Sequence, residues 1–316
     1  MKDLVNKDEE NFSSQPNKNE NDLTKDIDEV TETKVENKFI EFGFSENLLK
    51  TLEKIGYDSP TPIQKAAFPE LMLGRDLVGQ AQTGTGKTAA FALPIIEKLN
   101  KNSKHPQVLV LTPTRELAIQ VAESFKTYGK DQNDFKVLPV YGGADFRSQI
   151  NALKRGVSIV VGTPGRVMDH LRQGTLNKSE LNCLVLDEAD EMLRMGFIDD
   201  VEWVLEQLPD ERQMILFSAT MPSEIRRISK KYLNDPAEIT IKATKQKTNL
   251  IRQRYIVVQN SYKIDALRRV LEAVIEEGVI IFTRTKAITL TVSEKLEASG
   301  YNVAVLNGDV PQNQRE

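Results

Sequence analysis

The sequence has little of what a disulfide-stapled or metal-centred scaffold needs. Its 316 residues include one cysteine and two histidines. One cysteine excludes an internal disulfide framework and a four-cysteine zinc site, and two histidines argue against a histidine-based metal site. No apolar run approaches the roughly 20 residues of a membrane helix, and the first residues lack the apolar stretch of a secretory signal. These absences predict a cytoplasmic protein without a membrane partner.

Charge of one sign does not dominate the chain, but it is unevenly distributed. The net charge is -4, and residues 1–37 hold 11 acidic against 5 basic side chains, so the rest of the chain is close to neutral. Residues 1–37 also contain few, scattered apolar side chains, which predicts a disordered acidic tail. A nucleic-acid partner would have to be held by locally placed groups, because the bulk charge neither supports nor excludes one.

Short apolar runs alternate with helical patterns over residues 38–241. Strands are predicted at 76–81, 108–112, 136–141, 158–162, 183–187 and 214–218, and helices between them include 87–99 and 116–128. The runs do not alternate polar with apolar residues, which is typical of strands buried on both faces. The pattern predicts an α/β domain with a parallel sheet and flanking helices.

A second series follows a basic, weakly apolar stretch at 242–250, which is predicted to be a linker. Strands are predicted at 252–259, 279–283 and 302–306, and helices at 263–277 and 285–299. Asp309 is predicted to cap a further helix. Because that helix would have barely begun at residue 316, we expect the chain to be part of a longer protein. Residues 251–316 would then be an incomplete domain of marginal stability.

A glycine-containing loop, AQTGTGKT at 81–88, lies between a predicted strand and a predicted helix. The glycines let backbone N–H groups approach phosphate oxygens, and the helix adds its positive N-terminal end. Lys87 is expected to reach the β- and γ-phosphates of a nucleotide, and the Thr88 hydroxyl to bind Mg²⁺. The predicted nucleotide-contacting residues of this loop are Ala81, Gln82, Thr83, Gly84, Thr85, Gly86, Lys87 and Thr88.

Two acids follow the predicted strand at 183–187. Their position at the carboxyl edge of a parallel sheet is where ligands bind in open α/β folds. Asp187 suits Mg²⁺, and Glu188 is the candidate to orient or deprotonate an attacking water. An acidic pair alone is weak evidence, but together with the glycine loop it indicates nucleoside triphosphate hydrolysis.

Residues 187–190 spell DEAD, and the chain from residue 39 to 315 resembles a DEAD-box RNA helicase. The resemblance implies a RecA-like ATP-binding domain and a partial second RecA-like domain. Ala81 replaces the first glycine of the general loop pattern, as in several helicase-type enzymes. In the stretch GYDSPTPIQ at 56–64, the resemblance implies that Gln64 reads adenine and that Phe39 and Tyr57 pack near the base.

Further motifs match the RNA-contacting motifs of that family. They are PTRELA at 113–118, a glycine pair, TPGR at 163–166, IIFTRTK at 280–286 and LNGDVPQNQRE at 306–316. The implied RNA-contacting residues are Pro113, Thr114, Arg115, Gly142, Gly143, Thr163, Gly165, Arg166, Arg284, Gly308, Gln312 and Arg315. Such contacts are made to the RNA backbone and sugar. Sequence-independent binding of single-stranded or short duplex RNA is therefore expected.

The remaining matches concern coupling and the branch of the family. Ser218 and Thr220, in the SAT stretch, are expected to hydrogen-bond Asp190 and to act with the catalytic groups. DEMLRMGFIDDVE at 190–202 most resembles the bacterial cold-shock, ribosome-assembly branch, which implies ribosomal precursors as partners. Cys183 is expected to be a buried strand residue, and both histidines are expected at the surface.

The implied mechanism is an ATP-driven closure of two domains that bends one RNA strand and opens a short duplex. Family motifs that follow residue 315 in longer members include arginines that neutralise the γ-phosphate, so this chain is expected to bind adenine nucleotide weakly and not to unwind RNA. Two alternatives stay open from the sequence. One is a DNA-translocating helicase, and the other is an ATP-gated RNA clamp or scaffold without productive turnover.

Overall fold

The computed structural model describes residues 38–132, 135–242, 251–274 and 278–315. The predicted acidic tail and residues 243–250 of the predicted linker lie outside this part. The strands are β1 Leu77–Gln80, β2 Val108–Leu111, β3 Val137–Val140, β4 Ile159–Gly162, β5 Cys183–Leu186, β6 Gln213–Ser218 and β7 Ala237–Thr240. The helices are α1 Glu46–Lys54, α2 Pro62–Met72, α3 Lys87–Lys98, α4 Arg115–Tyr128, α5 Phe146–Lys154, α6 Pro164–Arg172, α7 Ala189–Arg194, α8 Ile198–Gln207, α9 Ser223–Tyr232, α10 Lys263–Glu272, α11 Lys286–Glu297 and α12 Gln312–Arg315. Short 3₁₀ helices lie at Ile40–Phe42 and Asn260–Tyr262.

The seven strands form one parallel sheet in the order β3-β4-β2-β5-β6-β1-β7. The predicted parallel α/β architecture is confirmed, and each of the six strands predicted before residue 241 is present within a residue or two. The sequence pattern missed β7. Its side chains alternate between half-buried and exposed at the sheet edge, so it lacks the continuous apolar run that marks the central strands.

Successive side chains of the central strands enter opposite apolar layers. In β2, Val108 and Val110 join a cluster with residues of α1 to α4, whereas Leu109 and Leu111 join a cluster with residues of α5 to α9. This alternation follows from the two-residue period of a strand. Both faces of the sheet are therefore covered by helices, which leaves the two strand ends as the places where loops can form a site.

The strand predictions after residue 250 are wrong for the described residues. The segments 252–259, 279–283 and 302–306 have no sheet pairing, and side chains such as Val257, Ile280 and Phe282 are exposed. Apolar runs become parallel strands only where neighbouring strands pair with them and helices cover both faces. Helix α10 ends at Glu272, before the predicted end, and residues 275–277 lie outside the described part.

The helix predicted to start after Asp309 begins instead at Gln312. Asp309 forms an ion pair with Lys286 rather than capping a helix. The Asp309 carboxylate therefore binds the Lys286 ammonium group and does not accept from the first N–H groups of the helix, as a cap would.

None of the helices in the described ranges combines the length and apolar character that crossing a bilayer requires.

Candidate functional site

Six predicted site loops of the first region follow strands β1 to β6, so they lie at the carboxyl edge of the sheet, whereas the stretch 56–64 leads from α1 into α2. The strand order divides them into two neighbouring halves. Strands β5, β6 and β1 are contiguous and carry the acidic pair, the SAT stretch and the glycine loop. Strands β3, β4 and β2 are contiguous and carry the glycine pair, TPGR and PTRELA. The topology thus separates the predicted nucleotide motifs from the predicted RNA motifs and joins them at the β2–β5 pair.

The glycine loop closes on Lys87. Gly84 and Gly86 have φ of 75° and 90°, in the left-handed region that favours glycine, and Gly86 precedes the first residue of α3. The Lys87 side chain is buried, and its Nζ donates to the Ala81 carbonyl at 3.1 Å. The Thr85 hydroxyl donates to the Gln82 carbonyl at 2.7 Å. The ammonium group is therefore held inside the loop at a helix N-terminus, where an anion is favoured.

The acidic pair combines burial with backbone strain. Burial raises the pKa of Asp187 to about 6, while the charge of Lys87 acts in the opposite direction. The Glu188 N–H donates to Asp187 Oδ1 at 3.0 Å. Glu188 has φ 52° and ψ 49°, which costs a non-glycine residue about 1–2 kcal/mol. The strained backbone therefore falls at Glu188, the residue predicted to orient or deprotonate an attacking water.

Asp190 connects the acidic stretch to β6. Thr220 donates from its hydroxyl and its backbone N–H to Asp190 Oδ2 at 2.8 and 3.0 Å. The Ser218 hydroxyl accepts from the Asp190 backbone N–H and donates to the Thr220 carbonyl. Burial raises the pKa of Asp190, but the hydrogen bonds from Thr220 and Ser218 outweigh it and the pKa lies below its usual value. The β5 and β6 loops are thereby fixed to each other through an ionised carboxylate.

Gln64 is buried and joins two elements. Its Oε1 accepts from the Thr61 N–H at the start of α2, and its Nε2 donates to the Gly86 carbonyl of the glycine loop at 3.1 Å. Gly86 has φ 90°, and a Cβ there would stand 2.5 Å from Gln64 Nε2, so the position favours glycine. The predicted adenine-reading side chain is thus connected directly to the phosphate loop.

The two aromatic residues of the predicted adenine site pack into the core. The Phe39 ring is fully buried against Tyr57 and Phe68. The Tyr57 hydroxyl lies 3.0 Å from that of Tyr128, and burial together with this hydrogen bond raises the pKa of Tyr128. In this structure Phe39 therefore packs in the core behind the predicted adenine site, and Tyr57 is the half-exposed aromatic residue of the pair.

In the other half of the edge, Arg115 lies over the glycine pair. A Cβ on Gly143, whose φ is 91°, would stand 2.5 Å from an Arg115 guanidinium nitrogen, and one on Gly142 would stand 3.6 Å away. The Thr114 hydroxyl caps α4 by accepting from the Leu117 N–H at 3.2 Å. Within the described ranges Arg115 has no ion pair with an acid, so its charge is available at this edge. Pro113 is buried next to this cap.

Arg166 makes more contacts within the protein than Arg115 does. Its side chain is 13% exposed, donates to the Ala144 carbonyl and to Gln149 Oε1, and lies 5.1 Å from the Phe146 ring centre. Arg166 therefore holds the loop after the glycine pair. Thr163 precedes α6 and is half-buried, and Gly165 has open space around its Cα.

The prediction of two surface histidines is wrong for His170, which is fully buried. Its Nε2 lies 3.0 Å from Gln149 Oε1, and its Nδ1 lies 2.8 Å from the Thr175 hydroxyl. Because an amide oxygen only accepts, the proton is assigned to Nε2. Burial, helped by the Arg166 charge, lowers the pKa of His170 to about 4. Cys183 is buried, as expected.

Sequence reasoning missed Gln149 and His170. Gln149 Oε1 is shared by Arg166 and His170, and Gln149 Nε2 donates to the Tyr141 carbonyl at 3.2 Å, next to the glycine pair. The sequence held one usable signal. Arg166 and His170 are four residues apart and so share a face of α6.

The predicted RNA residues after residue 250 are differently placed. Arg284 is exposed, and Gly308 lies beside Lys286, whose Cε would be 3.2 Å from a Cβ on that glycine. Arg315 forms an ion pair with Glu116 of α4 at 3.0 Å and donates to Gln312. Arg315 is therefore engaged with acidic and amide oxygens in this structure.

Mg²⁺ fits the oxygen donors at this site. The Asp187 carboxylate is buried, and burial is the main cause of its raised pKa. Among the described residues no group of three or more His, Cys, Asp or Glu side chains could hold a metal ion. Mg²⁺ commonly uses one or two protein oxygens together with phosphate and water, so the Thr88 hydroxyl and Asp187 suit it.

The parallel sheet and the glycine loop that closes on Lys87 define the P-loop class of α/β proteins. A family model described as DEAD/DEAH box helicase matches residues 61–228, more than half of the chain, and the chain belongs to this family. ATP-dependent RNA helicase DeaD of Mycobacterium tuberculosis (strain CDC 1551 / Oshkosh) is 53% identical over 278 residues, covering 88% of this chain and 49% of that protein. The protein of the same name from Escherichia coli (strain K12) is 50% identical over 281 residues, covering 89% and 45%. The chain spans about half the length of these curated relatives.

A solved structure gives the same result for the fold. The crystal structure of a DEAD box protein from the hyperthermophile Methanococcus jannaschii is 41% identical, with a TM-score of 0.63, and the match covers 88% of this chain and 75% of that one. This neighbour confirms the RecA-like expectation for the seven-stranded parallel sheet of the first region. The roles of individual site residues stay predictions.

Proposed function

We propose that this chain is part of an ATP-dependent RNA helicase that binds ATP and Mg²⁺ at the β5-β6-β1 half of the carboxyl edge and RNA at the β3-β4-β2 half. The observation that carries the proposal is the separation of the two motif sets into contiguous halves that meet at β2 and β5. Nucleotide and RNA would then act on neighbouring strands of one rigid sheet.

The nucleotide half supplies charge and positioning. Lys87 would bind the β- and γ-phosphates, assisted by the N–H groups of Gly84 and Gly86. Thr88 and Asp187 would hold Mg²⁺, which when bound neutralises phosphate charge. Glu188 would orient the attacking water or accept its proton.

The remaining nucleotide contacts concern the base and the coupling. Gln64 would present its second amide hydrogen to adenine while its first stays on the Gly86 carbonyl, with Tyr57 near the base and Phe39 beneath it. Thr220 and Ser218 would couple the acidic stretch to β6 through their hydrogen bonds with Asp190.

RNA would be bound through its backbone. Arg115 would bind a phosphate above Gly142 and Gly143, where the missing side chains permit close approach. Thr163 and Gly165 would contact the backbone, with Arg166 holding the loop. Arg284, Gly308, Gln312 and Arg315 would complete the surface from the second region, with Arg315 released from Glu116. Such a surface reads no bases, so binding would be sequence-independent, and ribosomal precursors in the cytoplasm are the proposed targets.

ATP hydrolysis with and without RNA tests the proposal. We expect the parent chain to bind adenine nucleotide weakly and to lack duplex unwinding, whereas a longer chain that includes the second domain hydrolyses ATP faster with RNA. Glu188→Gln in that longer chain should abolish turnover and retain RNA binding. Single-stranded DNA should compete poorly with RNA; equal competition would favour a DNA-translocating helicase.

An ATP-gated clamp is the second candidate. It is favoured by the buried Asp187 carboxylate and by the strained backbone of Glu188, which would hold nucleotide without demanding turnover. Absence of hydrolysis in the longer parent chain, with ATP-dependent RNA binding retained, would support the clamp.

A further inference from the structure

A basic hollow lies at the amino edge of the sheet, opposite the site described above. Its volume is about 670 Å³, and its cationic lining consists of Lys101, Lys104, Lys136, Lys154 and Arg155, with His105 beside them. These residues belong to the segments that lead into β2, β3 and β4, the three strands whose other ends carry the predicted RNA motifs.

Backbone hydrogen bonds hold the hollow together. The Lys136 carbonyl accepts from the N–H groups of Ser158 and Ile159 at 2.8 and 3.1 Å, and the Ser158 carbonyl accepts from the Gln107 N–H at 2.9 Å. Gly156 has φ 84°, and a Cβ there would stand 3.1 Å from the Lys104 carbonyl. The three segments are therefore fixed at close range, and the lysines on them are kept near one another.

The positive charge of this hollow is not neutralised within the described part of the chain. No described Asp or Glu lines it, and none of its five lysine and arginine side chains has an ion pair with a described acid. Lys101 donates to an amide oxygen, that of Gln132. On α9, by contrast, Arg227 and Lys231 are both paired with Glu202. A set of like charges held close together repels itself, so binding of an anion there is electrostatically favourable.

We propose that this hollow, the amino-edge basic cluster, binds the phosphate backbone of the same RNA that occupies the carboxyl edge; this rests on the proposed function. The two sites share the edge strand β3, with Lys136 before it and Gly142 after it. At about 3.3 Å per residue, the distance along β3 is about 20 Å, which a single strand of modest length can span. The cluster extends the RNA contact along the outside of the sheet.

The test compares RNA lengths and salt dependence. The parent chain is compared with a triple variant, Lys104→Gln, Lys136→Gln and Lys154→Gln. A matched control, Lys230→Gln, Lys263→Gln and Lys295→Gln, removes the same charge from exposed lysines elsewhere. All six side chains are exposed, and equal thermal unfolding of the three proteins checks that each is folded. Equilibrium binding is measured with single-stranded RNAs of about 5 and about 20 nucleotides.

For the long RNA, the triple variant should lose roughly tenfold in affinity near 0.1 M salt, and the slope of log K against log salt should fall by about 2, which corresponds to three lost phosphate contacts. For the short RNA, the triple variant should bind as the parent does. The proposed RNA contact at the amino-edge basic cluster would be overturned by an unchanged slope of log K against log salt with the long RNA. Equal losses of affinity with both RNAs and in the control would overturn it as well. A parent chain that binds neither RNA would overturn the proposed function as well, so the two failures are distinguishable.

Discussion

Residues 38–242 and 251–315 contain similar apolar runs but differ in what surrounds them. In the first region, every residue of β2, β4 and β5 is buried between two helical layers. In the second region, Phe282 is 93% exposed, and the buried apolar residues among those described are Leu271 and Leu296. A cavity of about 410 Å³ is lined by residues of the segments 279–283 and 301–305 and of α10 and α11.

This difference shows that an apolar run forms a strand only where other elements pair with it and cover it. A parallel strand needs a hydrogen-bonded neighbour and cover on both faces. The first region has nine helices among its described residues to supply that cover, whereas α10, α11 and the short α12 are all that the described residues of the second region provide. Stability should therefore be concentrated in the first region.

Hydrogen exchange should give the largest contrast between the two regions. We expect amides of β2 and β5 to exchange at least ~10³-fold more slowly than amides of the segment 279–283, a difference of about 4 kcal/mol in opening free energy. Peptide-resolved exchange measures both in one sample. Equal protection in the two regions would contradict the comparison.

Matched truncations should sharpen the same contrast. Leu109→Ala removes a fully buried side chain of β2 and should lower the free energy of unfolding by about 2–5 kcal/mol. Val257→Ala removes a side chain that is 87% exposed and should change it by less than about 0.5 kcal/mol. Urea unfolding followed by circular dichroism gives both values. A large loss from Val257→Ala would show that the second region is packed after all.

Acid should reveal the buried polar network of the first region. His170 has a pKa of about 4 in the folded protein against 6.5 in the unfolded chain, so the unfolded chain binds more protons between these values and stability falls as pH drops from 6.5 to 4. We expect this histidine to account for about 2–3 kcal/mol of that loss. In His170→Gln, which cannot titrate, the loss between pH 7 and 4 should be smaller by that amount. Parallel pH curves for the two proteins would refute the assignment.

Backbone strain at the acidic pair should give the smallest effect. At Glu188 and Asp235, the two described non-glycine residues with positive φ, the glycine variant should be more stable than the alanine variant by about 1 kcal/mol. At Glu191, inside α7, the order should reverse, because alanine is the better helix former. Thermal unfolding of the six variants checks the sign at each position.

The sequence predicted the first region better than the second for a physical reason. Runs such as VLVL at β2 are apolar throughout because both faces are buried, so they predict parallel strands without further context. Edge strand β7 and the unpaired segments after residue 250 depend on neighbours that a local pattern does not contain. His170 and Gln149 were missed for a similar reason, since their contacts join α5, α6 and the loop after α6.

The nucleotide loop was the part of the site most accessible from the sequence. Its glycines, lysine and threonine are contiguous, so their relative geometry follows from a local strand–loop–helix arrangement. The engagement of Arg166 with Ala144 and Gln149 depends on packing between α5 and α6 and could not be read from TPGR alone.

The central claim, that the loop around Lys87 binds a purine nucleoside triphosphate, is tested most directly by titrating a fluorescent adenine nucleotide into the parent chain and into Lys87→Ala. We expect saturable binding to the parent, displaced by unlabelled ATP. We also expect a loss of roughly 10- to 100-fold in affinity for the variant, with thermal unfolding confirming that the variant is folded. Equal affinity of the two proteins, or no saturable binding to the parent, would contradict it.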